Sequence, residues 1–203
     1  MNNTFPEMVS AVERKITQAI LVDAVPGGHQ AQVSAWELKK GNWQQVYGPI
    51  PAVIGSDGLI SPDKKQEGDG CTPTGVYPLG MVFGDRASLA INMPYRQATE
   101  EDFWVDDPTS TRYNLWVNGR PETETYEEML RSDGLYCYGV VIEYNTAPVV
   151  PGKGSAIFMH IWRAPGQPTR GCVAMAKEHL VKLIAWLDPV CWPVIAIPDT
   201  KYL

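Results

Sequence analysis

Eighteen glycines and seventeen prolines are spread along the whole of this 203-residue chain. Residues that start turns and interrupt helices recur too often for a helical bundle, so short strands joined by many turns are expected. The 44% hydrophobic and 20% charged shares belong to a folded globular chain and exclude a disordered one. A chain of this length has core enough for one domain over residues 1–203 without a disulfide framework. No run of 18 consecutive apolar residues occurs, so no membrane span is expected. Seventeen basic against 23 acidic residues leave a net charge of −6, which argues against nucleic acid as a partner. At the N-terminus the first basic residues are Arg14 and Lys15, and the apolar run Ala19 to Val22 is too short for a signal-peptide core.

Local patterns set out the strands. Residues 18–24 (QAILVDA) read as a buried strand ending at Pro26-Gly27-Gly28. Alternation over Gln32–Leu38, a turn at Gly41-Asn42 and then Trp43–Val46 predict a hairpin. Residues 55–80, with GDGCTPTG at their centre, predict a long loop, of a length that is usually functional or disordered, and Thr99–Asn114 a second irregular, acidic stretch. Thr125-x-x-Glu128 has capping-box spacing and predicts a short helix through Leu130. Gly139–Tyr144, Ser155–Trp162 and Val194–Ile197 read as strands. Between the last two, Leu180, Leu183, Ile184 and Leu187 predict a helix over about Met175 to Leu187, stopped by Asp188-Pro189. The fold class is therefore mostly β, a β-rich α+β domain with one packed helix.

The sharpest chemical constellation is His160 on its strand followed by PTRGCVAM, residues 168–175. A thiol attacks as thiolate, which a histidine partner or a helix N-terminus favours. Cys172 is placed to have both, with the helix expected two or three residues later. Gly171 would allow close backbone approach, and the amides around Gly171 and Cys172 are candidate donors to an oxyanion. Taken alone, a cysteine reads more often as a small buried hydrophobe.

Context changes that weighting. His160 followed by Thr169-Arg170-Gly171-Cys172-Val173 resembles the L,D-transpeptidase (YkuD-type) signature, a histidine and then Ser/Thr-x-Gly-Cys. Glu67 to Gly75, containing Thr72-Pro73-Thr74-Gly75, resembles the family's T-P-x-G segment, and the likeness runs over roughly residues 18 to 198. The resemblance implies a β-sandwich or barrel-like catalytic domain, with one long helix after the cysteine. Its substrates would be peptidoglycan stem peptides, and its place the periplasm or cell wall. It also implies a thioester formed by Cys172 with release of D-alanine, then transfer to an amine (a 3-3 cross-link) or to water. His160 would be general base and acid, Gly171 an oxyanion-hole neighbour and Thr169 the residue that orients the histidine. Many members carry arginine two residues after the cysteine, where this chain has Ala174. Arg170 or Arg163 is then the candidate for a substrate carboxylate. No metal or organic cofactor is implied. A carboxypeptidase or amidase with the same site and a wall-binding module with a structural Cys172 are the alternative readings.

Other residues weigh less. His29 reads as a solvated loop histidine and His179 as a structural one beside Leu183. Cys71, His160, Cys172 and His179 lack the close ligand spacing of common zinc sites. Cys137 and Cys191 read as core packing, and at most one disulfide is available to Cys71, Cys137 and Cys191. Trp36 and Trp186 read as core. Trp162 shares the strand face of His160 and is a candidate wall of the site, with Tyr138 and Tyr144 behind it. Acidic residues at 100–107 are a candidate for attracting a substrate amine, although charge runs usually only solubilise. Lys64, Lys65 and Glu67 are open to either reading.

Overall fold

The computed structural model describes residues 8–9 and 15–199, so most of the stretch bearing on a signal peptide lies outside the described residues. The apolar run of β1 (Gln18–Ala24), buried on both faces, and the residues of β2 (Gln30–Lys39) and β3 (Asn42–Val53) build an antiparallel meander. Its β2–β3 turn is Lys40-Gly41, both at positive φ, one residue earlier than Gly41-Asn42. The remaining strands of the large sheet are β6 (Gly75–Gly84), β7 (Tyr95–Gln97), β11 (Tyr138–Ile142), β12 (Phe158–Ile161), β13 (Val173–Met175) and β14 (Val194–Ile197). The order is β11-β12-β13-β3-β2-β1-β14-β6-β7, and β6 also pairs with β11, so eight strands close into a ring. Pairing is antiparallel except at β1–β14, β12–β13 and β6–β7.

Inside the ring lies the main core, with Ile20, Val22, Val33, Ile54, Val82, Val140, Met159, Val173 and Met175 inaccessible or nearly so. Helix α1 (Lys177–Trp186) buries Leu180, Leu183 and Ile184 against it, as its 3.6-residue period requires. The helix starts later than the pattern suggested, because β13 takes residues 173–175 as strand. Cys172 therefore stands before a strand and not at a helix N-terminus, and that expected source of thiolate stabilisation is lost.

The long loop expected at 55–80 is shorter in fact. Its parts β4 (Leu59–Ile60) and β5 (Thr72–Pro73) pair in parallel, and β6 begins at Gly75. The acidic stretch at 99–114 contains β8 (Asp102–Val105), which pairs with β9 (Trp116–Asn118) and β10 (Tyr126–Glu128). The helix expected from Thr125 is thus a strand. Edge pairing to β8 and the Phe103–Tyr126 ring contact at 5.1 Å outweigh the local capping signal. These three strands, with β7, belong to an insert over residues 85–137 that packs on the outer face of the sheet.

A single carboxylate organises that insert. Asp102 is buried and accepts from Arg96 Nη2 at 2.6 Å, Trp116 Nε1 at 2.8 Å, Thr99 N at 2.9 Å and Thr99 Oγ1 at 2.7 Å. Burial alone would raise its pKa. The hydrogen bonds from Trp116, Thr99 and Arg96 outweigh burial and hold it well below the usual carboxylate range. Because the folded pKa is depressed, this stabilisation is complete above the unfolded carboxylate value of about 4 and is lost as pH falls below it. Asp102→Asn should cost about 3 kcal/mol at pH 7 by urea unfolding, and the gap to the native protein should narrow on acidification.

Candidate active site

The β12–β13 register puts Cys172 and His160 on one face of the sheet. The parallel pairing sets His160 opposite Ala174 and Met159 opposite Val173, so Cys172, Ala174, Phe158 and His160 lie on the outer face. Both candidate groups are nearly enclosed: His160 is 6% exposed and Cys172 8%. The same row crosses four strands as Phe83, Gly139, His160 and Ala174. At Gly139 a Cβ would come 2.2 Å from Phe83 Cζ, so the ring lies over the glycine. Ala174 is the small residue paired with His160 on the neighbouring strand.

The two motifs are joined by hydrogen bonds. Thr72 of the T-P-x-G segment is fully buried, accepts from Gly55 N at 2.9 Å and donates to Gly171 O at 2.8 Å. Thr169 Oγ1 donates to Cys172 O at 2.7 Å and accepts from Gly171 N at 3.1 Å. Gly171 has φ +139°, and a Cβ there would come 2.9 Å from Cys71 O. Two expectations change as a result. Thr169 holds the cysteine loop and does not orient the histidine: its carbonyl accepts from Ser56 N. The Gly171 amide is already engaged and is not free for an oxyanion.

His160 Nδ1 bonds the carbonyl of Ile161 at 2.8 Å, and a carbonyl accepts, so Nδ1 carries the proton and Nε2 is left basic. The Cys172 thiol donates to Ala156 O at 3.2 Å, and Phe158 N donates to its sulfur at 3.4 Å. Burial dominates both titrations. It pushes the imidazole down to about 4 and the thiol up to about 12, with the Phe158 amide pulling the thiol back only in part. The resting pair is therefore a neutral thiol and a neutral imidazole, not the low-pKa thiolate that the sequence motif suggested.

A cleft of about 850 Å³ opens over the pair. Of the expected site residues, Thr169, Arg170, Trp162 and Arg163 line it with Cys172 and His160. Arg163 pairs with Asp133 at 2.9 Å. Tyr138 lies elsewhere: Gly139 is the partner of His160, so Tyr138 points to the opposite face, against the main core and Lys177. Tyr144 is likewise turned away, its hydroxyl bonding Lys153 O. His179 meets Tyr47 Oη at 2.7 Å, a structural role, and His29 bonds Gly166 O at 3.0 Å, tying down the cleft loop. All four cysteines are free thiols, and Cys137 and Cys191 are half-buried rather than in the core.

Sequence reading counted Asp106 among the acidic residues at 100–107, left Lys65 and Glu67 undecided and gave Glu127, Arg131, Tyr136 and Ser155 no part in the site, yet all line the cleft. Lys65 is 2% exposed and pairs with Asp69 at 2.6 Å, and Glu67 accepts from Ser155 Oγ at 2.7 Å and from Tyr113 Oη. Glu127, Arg131 and Tyr136 come from the insert and carry no local motif. Among the described residues no cluster of three or more metal-ligating side chains is present, and no helix is long and apolar enough to cross a membrane.

Three outcomes follow from this geometry. Alkylation of Cys172 should be slower than that of a free cysteine at pH 7 and should rise continuously with pH, without the acid-side plateau of a thiolate–imidazolium pair. Because His160 is depressed to about 4 from 6.5, its share of stability is full above 6.5 and drains away as pH falls toward 4. Gly139→Ala should cost about 1–3 kcal/mol in urea unfolding by driving Phe83 off its seat beside His160.

Comparison with known proteins places the chain in a family. Residues 21–195 match the L,D-transpeptidase catalytic domain family, YkuD. A crystal structure of the helical cell shape determining protein Pgp2 from Campylobacter jejuni is 17% identical, with a TM-score of 0.45 over 95% of this chain. The chain spans only 54% of the length of that protein. No curated protein matches. On the extent of the family match, the chain belongs to the L,D-transpeptidase catalytic domain family of peptidoglycan enzymes.

Proposed function

We propose that the chain is a cysteine-dependent peptidoglycan L,D-transpeptidase acting outside the cytoplasm, in the periplasm or cell wall. The observation that carries this reading is a single cleft lined by a neutral thiol, Cys172, and by an imidazole, His160, whose Nδ1 is committed to Ile161 O. Nε2 of His160 accepts the thiol proton as Cys172 Sγ attacks the carbonyl between diaminopimelate and the terminal D-alanine of a tetrapeptide stem. Proton transfer is coupled to attack because burial opposes either charge standing alone.

With the Gly171 amide engaged by Thr169, the amide of Cys172 itself is the donor for the oxyanion. Collapse of the intermediate breaks the C–N bond, and the imidazolium returns its proton to the leaving amine of D-alanine. The Cys172 thioester is then attacked by the side-chain amine of a second stem, giving a 3-3 cross-link, with His160 taking the amine's proton. Water in place of the amine would give the tripeptide of a carboxypeptidase. Asp133 holds Arg163, so Arg170, beside the nucleophile, is the better placed cation for the substrate carboxylate. Trp162 forms one wall of the cleft.

Incubation with a disaccharide-tetrapeptide, followed by mass spectrometry, tests the assignment. Native protein should release D-alanine and form cross-linked dimers, while Cys172→Ala should release none. Tripeptide without dimers would make the protein a carboxypeptidase. Unchanged tetrapeptide in every sample would overturn this substrate and bring forward an amidase or a wall-binding role. Arg170→Ala should raise KM more than it lowers kcat.

A further inference from the structure

His160 carries one hydrogen bond to its own backbone neighbour, and a single bond leaves an imidazole free to swing about its side-chain torsions. What stops it comes from the insert. Leu135 O accepts from Ile161 N at 3.2 Å, so residues 135–136 lie directly against the His160–Ile161 peptide. The Tyr136 ring then meets the imidazole edge-on, at 5.3 Å between centroids and 72° between planes.

Tyr136 is itself pinned on several sides. Its ring packs edge-on against Phe83 at 5.6 Å and Phe158 at 5.8 Å. Above it sits the Arg131 guanidinium at 5.1 Å, and its hydroxyl donates to Glu127 Oε2 at 3.4 Å. Arg131 is clamped in turn by Glu127 at 3.1 Å and by a bidentate pair with Asp133 at 3.0 and 2.8 Å. Asp133 also holds Arg163 of the cleft loop. Two charged groups, Glu127 and Arg131, and the rings of Phe83 and Phe158 thus converge on one buried tyrosine that shares its apolar cluster with Cys172 and meets His160 edge-on.

We propose that Tyr136 is a positioning residue: its ring, anchored through Glu127 and Arg131, holds His160 in the orientation that keeps Nδ1 on Ile161 O and leaves Nε2 to take the thiol proton. This rests on the reading of Cys172 and His160 as the catalytic pair. The charges converging on Tyr136 serve the histidine in addition to any ligand in the cleft. The segment 126–136 is thereby part of the catalytic apparatus although it carries no catalytic residue.

The test uses the full chain labelled with nitrogen-15, in which three histidines make the His160 ring signals tractable by NMR. In native protein and in Tyr136→Phe, His160 should show the Nδ1–H tautomer, with turnover of the tetrapeptide within a few-fold of each other. In Tyr136→Leu, which removes the ring, the two tautomers should average and kcat should fall on the order of 100-fold with KM little changed. A folded Tyr136→Leu protein with the native tautomer and native kcat would overturn the proposal. Should leucine prevent folding, the double variant Glu127→Ala/Arg131→Ala decides: it keeps the ring and removes both of its anchors, so exchange-broadened His160 signals support the proposal and native signals refute it. The tautomer is read without substrate. Native protein with the expected His160 signals but no D-alanine release would therefore count against the substrate assignment alone.

Discussion

Everything chemical in this protein depends on one parallel pairing, that of β12 with β13. Parallel neighbours cannot be joined by a tight hairpin, so the chain must cross over between them. Here the crossover is residues 162–172, which supply Trp162, Arg163, Thr169 and Arg170 to the cleft before delivering Cys172 to the floor. The same pairing puts His160 and Cys172 on one face, because directly paired residues share a side. Slipping the register by a single residue would turn Cys172 into the main core and leave His160 alone. Thr72 is what holds the incoming loop to this register, its hydroxyl bridging Gly55 N and Gly171 O across three segments distant in sequence.

Burial then decides the electrostatics. Enclosure raises the cost of charge on both members of the pair, and the surrounding ions act on them with opposing signs. Lys65 and Arg131 favour a thiolate while Glu127 opposes it, and Arg131 opposes an imidazolium while Asp133 favours it. The result is a thiol and an imidazole that both rest neutral at pH 7. Such an arrangement protects a buried nucleophile from adventitious alkylation and oxidation, both of which proceed through the thiolate.

The insert over residues 85–137 works on the same outer face. Its Asp102 hub ties Arg96, Thr99 and Trp116 together, and Trp104, Tyr136 and Trp116 join Phe83 and Phe158 in a layer of edge-to-face rings beneath the site. Ring pairs of this kind are directional as well as apolar, so the layer resists sliding. It supports the outer face of β12 where His160 emerges, and Gly139 is the gap into which Phe83 fits.

Much of this was legible in the chain itself. Hydrophobic alternation located β1, β2, β11, β12 and β14, and the period of Leu180, Leu183 and Ile184 located the helix, because those patterns follow from local geometry and a buried face. His160 and Cys172 were legible through their motif, which includes the small residues the loop requires. Where tertiary pairing competes with a local signal, the reading failed: Thr125–Glu128 became a strand on the edge of β8, and β13 displaced the start of the helix. Tyr136, Glu127 and Arg131 could not be seen, since nothing local distinguishes them from surface and core residues elsewhere. What the sequence determined by itself was the class of chemistry, a cysteine and a histidine in a turn-rich β fold. Only the tertiary structure decided that the pair rests uncharged, because a pKa depends on how much water and which charges the folded chain leaves around a group.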